Sequence, residues 1–205
     1  MSDYDSKIKV ILIGESGVGK TCLIRAYEGK KFTNVLASSG PGFIKKEIKK
    51  DDKTYQIHLW DTAGQEKYRC VNKIFIKDSH IAILVYDITK RKTFQELDYW
   101  VNYTQEILGK DVVFGLAGNK IDLFDKNDIE EEGKIVTKQE GMEYAEEIGA
   151  SFKETSAKGD AKGFIEFVDE LIDKYLSSNI QIRSFEGWEI ISLHNPIKKK
   201  KEKCC

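Results

Sequence analysis

The sequence predicts an α/β fold, with a mainly parallel sheet covered by helices on both faces. Three observations carry this. Short apolar runs alternate with stretches of helical spacing over the first 178 or so residues. The runs Val10–Ile13, Ile81–Tyr86 and Val112–Ala117 are almost continuously apolar, as strands buried on both faces must be. The residues with the most distinctive chemistry follow directly after strands, where open α/β sheets place their ligands.

Each element has its own signal. Val10-Ile11-Leu12-Ile13 reads as a buried strand, and the stretch from Thr21 to Tyr27 as the helix after it. Phe43–Ile48 and Tyr55–Trp60 read as strands, the second alternating polar and apolar, with Asp51-Asp52-Lys53 as a hairpin turn between them. Ile81–Tyr86, Val112–Ala117 and the short Ser151–Lys153 complete six strands. Helical spacing marks Phe94–Leu108, Lys138–Ile148 and Phe164–Leu176. No internal repeat is present.

The chain of 205 residues is long enough for one domain with a real core, plus a tail. A domain over residues 1–178 and a basic tail over 179–205 are the expected division. The net charge of −1 points to no nucleic-acid partner, but Lys198–Lys201 and Lys203 crowd the C-terminus. No apolar run approaches the length of a membrane-spanning helix, and the polar, acidic start is unlike a secretory signal. Four cysteines, two of them terminal neighbours, make no disulfide framework, so Cys22 and Cys70 read as reduced thiols. His58, His80 and His194 carry no chemistry in this reading.

The central motif is Gly14-Glu15-Ser16-Gly17-Val18-Gly19-Lys20-Thr21, which fits G-x-x-x-x-G-K-[ST] between a strand and a helix. Its glycines let successive backbone N–H groups turn toward phosphate oxygens, and the helix N-terminus adds partial positive charge. Lys20 is expected to reach the β- and γ-phosphates and the Thr21 hydroxyl to bind Mg²⁺. Cys22 follows as the next residue at the phosphates. A second motif, Trp60-Asp61-Thr62-Ala63-Gly64-Gln65-Glu66, ends the Tyr55 strand. Here Asp61 is placed to hold Mg²⁺ through a water, Gly64 to bring its N–H to the γ-phosphate, and Gln65 to orient an attacking water. In Asn119-Lys120-Ile121-Asp122 the carboxylate can accept two parallel hydrogen bonds from the N1–H and 2-amino group of guanine, a donor pair that adenine lacks. Asn119 would tie this loop to the phosphate loop, and Lys120 would pack along the ring. In Glu154-Thr155-Ser156-Ala157-Lys158, the Ala157 N–H can meet the guanine carbonyl while Lys158 covers the ring, with Ser156 beside them.

In this order and spacing, the four motifs resemble those of the Ras superfamily of small GTPases over roughly residues 7–178. The run from Trp60 to Arg69, the serine at Ser16 and the ending Cys204-Cys205 are most similar to Rab proteins. The resemblance implies a P-loop NTPase small G domain with a mostly parallel six-stranded sheet. It also implies a Mg²⁺-dependent switch that cycles between GTP and GDP and recruits effectors in vesicle trafficking. Implied partners are an exchange factor, a GTPase-activating protein, an escort protein, a GDP-dissociation inhibitor and effectors, around a monomeric core.

Two places depart from the Rab pattern. The first switch reads Ala37-Ser38-Ser39-Gly40-Pro41-Gly42-Phe43, where Rabs carry a Thr-Ile-Gly-x-x-Phe-like segment. Counting forward from Lys20 puts the metal-binding hydroxyl at Ser39, while counting back from Trp60 puts it at Ser38. Forward counting also places Phe32 where an aromatic edge contacts guanine. A serine keeps the hydroxyl but lacks the β-branch that stiffens threonine, so a looser first switch is expected. The second departure is a longer acidic stretch, Phe124–Lys134, read as a solvated loop.

Basic charge and two final cysteines argue for lipid on Cys204 and Cys205. The ending is not C-a-a-X, because Glu202 stands where that cysteine would be. The Rab resemblance implies two geranylgeranyl groups, which anchor stably where one chain would not, on the cytoplasmic face of an intracellular membrane. The apolar run Phe185, Trp188, Ile190, Ile191 and Leu193 reads as a docking patch for a partner that handles the lipids, or one that folds back on the domain. Two other functions compete with the hydrolytic switch. One is a nucleotide-loaded membrane scaffold that barely hydrolyses, favoured by Ser38-Ser39 and Pro41. The other is a nucleotide kinase or ATPase, opposed by Asn119-Lys120-x-Asp122.

Overall fold

A computed structural model describes residues 6–32, 42–62, 73–109, 112–124, 135–159 and 161–178. Six strands form a single sheet: β1 (Ser6–Ile13), β2 (Gly42–Lys50), β3 (Lys53–Asp61), β4 (Ile81–Asp87), β5 (Val113–Asn119) and β6 (Ser151–Thr155). Their order across the sheet is β2-β3-β1-β4-β5-β6. All pairings are parallel except β2 with β3. That hairpin turns at Asp51 and Asp52, with φ of 49° and 61°. Two left-handed residues are what a tight two-residue hairpin needs, and aspartate tolerates them.

The helices are α1 (Lys20–Tyr27), α2 (Lys73–Ile76), α3 (Arg91–Gln95), α4 (Leu97–Leu108), α5 (Lys138–Glu147) and α6 (Ala161–Ser177), with a 3-10 turn at Ile121–Leu123. The spacing over Phe94–Leu108 predicts one helix. The structure instead makes two, parted at Glu96, where the bond from the Trp100 N–H to the Glu96 carbonyl stretches to 3.4 Å. Helix α2 has four residues, too few to show a period; Ile76 is fully buried and Phe75 packs partly buried against the core.

Strand alternation divides the core into two layers. Ile8, Val10 and Leu12 of β1, with Tyr55, Ile57 and Leu59 of β3, pack under α1 and α6. Ile11 and Ile13, with Ala82 and Leu84, pack on the other face against α4 and its Trp100. Trp100 is fully buried, as are Phe164 and Phe167 of α6. His80 is buried as well: its Nδ1 accepts the Lys9 N–H at 2.9 Å, a structural role between β1 and β4.

Register carries this order to the site. Leu12 lies opposite Asp61, Asp87 opposite Asn119, and Asn119 opposite Thr155. The carboxyl ends of five strands therefore finish at one edge, where β1 lies between β3 and β4 and successive connections diverge.

Candidate functional site

The loop from Gly14 to Gly19 leaves β1 and feeds α1 at that edge. Its first glycine is sterically required. At φ +144°, a Cβ on Gly14 would stand 2.2 Å from the Val85 carbonyl oxygen of β4. Gly19 is confined in the same way, since a Cβ there would meet Asn119 Nδ2 at 2.4 Å. The loop runs this close to the sheet because it has no side chains at those points.

Lys20 is 3% exposed, and its ammonium donates to the carbonyls of Gly14 and Glu15, both at 2.9 Å. These bonds hold the charge over the loop. Glu15 accepts the indole N–H of buried Trp100 at 3.3 Å, which braces the loop against α4. Val18 is fully buried, whereas Ser16 and Gly17 are exposed. The Thr21 hydroxyl donates to Asp61 Oδ2 at 2.6 Å. Asp61 is 4% exposed. The next residue, Thr62, is fully buried and donates to the Leu12 carbonyl at 2.7 Å, fastening the end of β3 to β1. Thr21 and Asp61, expected to serve one metal ion, are thus brought together. Cys22 is a half-buried free thiol on α1, and burial pushes its pKa up against the pull of Arg25 and Lys120. That favours the inert thiol over the thiolate.

The residues expected to read the base meet across β5 and β6. Asn119 is 1% exposed and donates from Nδ2 to the Val18 carbonyl at 2.8 Å, the tie to the phosphate loop that the sequence suggests. The Thr155 hydroxyl donates to Asn119 Oδ1 at 3.3 Å, which orients the amide. Lys120 donates to the Gly17 carbonyl and to Asp87 Oδ2, each at 2.7 Å. Asp122 sits at the middle of the 3-10 turn, and the Ser156 hydroxyl donates to its Oδ1 at 2.5 Å. In turn, Ser156 Oγ accepts the N–H groups of Lys158 and Gly159, at 3.2 and 2.8 Å. Ser156 is 1% exposed, so its contact here is with Asp122 and the loop backbone. Ala157 packs on the core layer beneath α6.

Phe32 is 41% exposed. Ser38, Ser39, Gly64, Gln65, Cys204 and Cys205 lie outside the described residues, as do the acidic stretch from Asp125 to Lys134 and the apolar run at 185–193. On either side of the two switch segments, Phe43 stacks on Trp60 at 4.7 Å and Trp60 meets Phe75 at 6.0 Å. This aromatic row joins β2, β3 and α2. Asp87 carries no sequence motif. Its one sequence signal is an acidic residue closing an apolar strand, as Asp61 closes β3.

The architecture is that of a P-loop small G domain. A family model described as "Ras family" matches residues 9–176. Over 174 residues the chain is 37% identical to "Ras-related protein Rab-21" of Geodia cydonium, covering 84% of this chain and 72% of that protein. It is also 37% identical over 157 residues to "Ras-related protein Rab-26" of Rattus norvegicus, and 36% to its Mus musculus counterpart. Those two matches cover 76% of this chain and 58% of each relative. The chain belongs to the Ras family of small GTPases and, within it, to the Rab branch.

Proposed function

We propose that the protein binds GTP and GDP at the carboxyl edge of the sheet, hydrolyses GTP to GDP and phosphate, and recruits effectors in its GTP state. The observation that carries this is the convergence at one edge of Lys20, the Thr21–Asp61 pair, and the Asn119–Asp122–Ser156 cluster. Backbone N–H groups of Gly14–Thr21 would cradle the phosphates, and Lys20 would set its charge on the β- and γ-phosphates. Asp122, held by Ser156, would accept the two guanine donors. Ala157 and Lys158 would complete the base site, with Phe32 at its rim.

Thr21 and Asp61 are hard oxygen donors 2.6 Å apart, a set suited to Mg²⁺, which prefers one or two protein oxygens plus waters and phosphates. Ser38 or Ser39 would add the first-switch hydroxyl. When bound, the ion supplies charge neutralisation at the phosphates. Gln65 would orient the attacking water, and Gly64 would donate its N–H to the γ-phosphate. Nothing covalent is required of the protein, because positioning and electrostatics carry phosphoryl transfer.

Lipid on Cys204 and Cys205, with the lysines of the 179–205 tail, would hold the domain on an intracellular membrane. The Phe43–Trp60–Phe75 row, which joins the elements flanking both switches, supports effector docking there. The exchange factor, activating protein, escort protein and dissociation inhibitor are the regulators this reading requires. Ser38-Ser39 and Pro41 favour a second reading, a nucleotide-loaded scaffold with little turnover.

One experiment separates the two: nucleotide content and single-turnover GTP hydrolysis with Mg²⁺, for wild type and Gln65→Leu. Bound guanine nucleotide with hydrolysis lost in Gln65→Leu is the expected result. Hydrolysis equal in both proteins removes Gln65 from the mechanism, and bound nucleotide without hydrolysis even with an activator selects the scaffold.

A further inference from the structure

Asp87 ends β4 at the edge where the base-reading loop ends β5, with its side chain 1% exposed. A carboxylate withdrawn from water is unfavourable unless its oxygens are bonded and its charge is paired. Here both conditions hold. Oδ1 accepts the N–H and the hydroxyl of Thr89, at 3.0 and 2.7 Å. Oδ2 accepts the ammonium of Lys120 at 2.7 Å. The Asp87 N–H donates to Thr93 Oγ1 at 3.0 Å, and its carbonyl accepts the Lys90 N–H at 2.9 Å. The aspartate is therefore fixed before Lys120 is considered.

Lys120 is fixed less easily. Its backbone stands at φ 71°, a left-handed conformation that a residue with a Cβ rarely adopts. A four-carbon stem also has many rotamers to lose. Two contacts oppose both tendencies: the Gly17 carbonyl on the phosphate loop and Asp87 on β4. Between them the stem spans from the end of β5 toward the loop. A cation left unpaired this close to the phosphate loop would be drawn to the phosphates instead.

We infer that Asp87 is a positioning residue for the guanine nucleotide: it aims Lys120 along the base and thereby slows nucleotide release. The inference rests on the reading of Asn119–Asp122 as the guanine site. Pre-ordering the lysine in the protein lowers the entropy lost on binding. Asp87→Asn isolates this contribution. The amide oxygen can still accept from Thr89, and the backbone bonds to Thr93 and Lys90 do not involve the side chain. The NH2 then stands where Oδ2 accepted the ammonium, so Lys120 loses both its charge partner and its acceptor there.

The test loads the full chain with a fluorescent GDP analogue and follows its release into excess GDP at fixed Mg²⁺. Asp87→Asn should release about ten-fold faster, Lys120→Ala at least as fast, and the double variant no faster than Lys120→Ala. The preference for GDP over IDP, which differ in the 2-amino group read by Asp122, should be unchanged in Asp87→Asn. Unchanged release in Asp87→Asn, or effects that multiply in the double variant, would overturn the inference while leaving the guanine reading intact. No effect of Lys120→Ala would likewise overturn the inference, whereas the absence of any GDP-over-IDP preference in the wild-type protein would remove the guanine reading of this loop. Should Asp87→Asn fail to fold, Thr89→Val takes its place, since it removes one bond that fixes the carboxylate. Faster release in the wild-type background but not with Lys120→Ala supports the inference, and unchanged release overturns it.

Discussion

Asp122 is the residue on which base choice should turn. Its carboxylate is held by Ser156, so an amide in its place would be held in the same position but would present a donor to the guanine donors. Asp122→Asn is expected to lose about 3 kcal/mol of GDP binding, roughly 100-fold, from two charge-assisted bonds. It should gain affinity for xanthine nucleotides, whose 2-oxo group accepts a bond. Competition binding of GDP against XDP measures both effects, and an unchanged preference would take base reading away from Asp122. The neighbouring Ser156 shows what a motif leaves unsaid. Glu154–Lys158 can be singled out as a candidate loop from its sequence, but the serine's contact with Asp122 depends on two strand ends meeting.

At the scale of elements, α5 is held where its first turn meets α3. Thr137 and Glu140 form a reciprocal cap, with the Glu140 N–H bonded to Thr137 Oγ1 and the Thr137 N–H to Glu140 Oε2. Arg91 adds bonds to both Glu140 oxygens, at 2.7 and 3.1 Å, and to the Ile135 carbonyl at 2.6 Å. Arg91 foremost, and the cap with it, hold Glu140 well below the usual carboxylate range, to a pKa of about 2. A depressed carboxylate pKa contributes stability above the unfolded value that is lost as pH falls through the folded one. The window is therefore about pH 5 down to 2. Glu140 is 35% exposed and Arg91 29%, so solvent screening limits the worth of the set to about 1 kcal/mol. Glu140→Gln should unfold at lower denaturant at pH 7, and its deficit should shrink toward pH 2. A deficit independent of pH would exclude the ion pair as its source.

For the molecule as a whole, the close seating of α6 on β5 closes the core layer that α1 and α6 cover. A Cβ on Gly115 would stand 2.5 Å from Leu171 Cδ1 and 3.1 Å from Phe167 Cζ. Both neighbours are fully or nearly fully buried and have little room to turn. Gly115→Ala should cost about 1–3 kcal/mol by overpacking. Urea unfolding of the nucleotide-loaded protein should show the midpoint fall with the slope unchanged. A stability equal to wild type would mean that α6 can shift without penalty. Among the described residues, no helix is long and apolar enough to cross a membrane.

Much of this protein was determined by its sequence alone. Near-continuous apolar strands alternating with helical spacing specify a covered parallel sheet, because each pattern buries its apolar side in only one way. The loop from Gly14 to Thr21 is legible for a related reason: phosphate recognition is done by backbone, and only glycines allow it. Lys20, Thr21, Asp61, Asn119 and Asp122 stand out as candidates because each lies at or soon after a strand's end, at a spacing that local geometry sets. Only the tertiary structure decided what lies between strands distant in sequence. The break at Glu96, the four-residue α2, the brace from Trp100 to Glu15, the hold of Ser156 on Asp122 and the pairing of Asp87 with Lys120 belong to this group. The physical reason is register. Asp87 faces Asn119 because β4 and β5 align over seven pairs, and no local spacing encodes which buried carboxylate a lysine 33 residues away will meet.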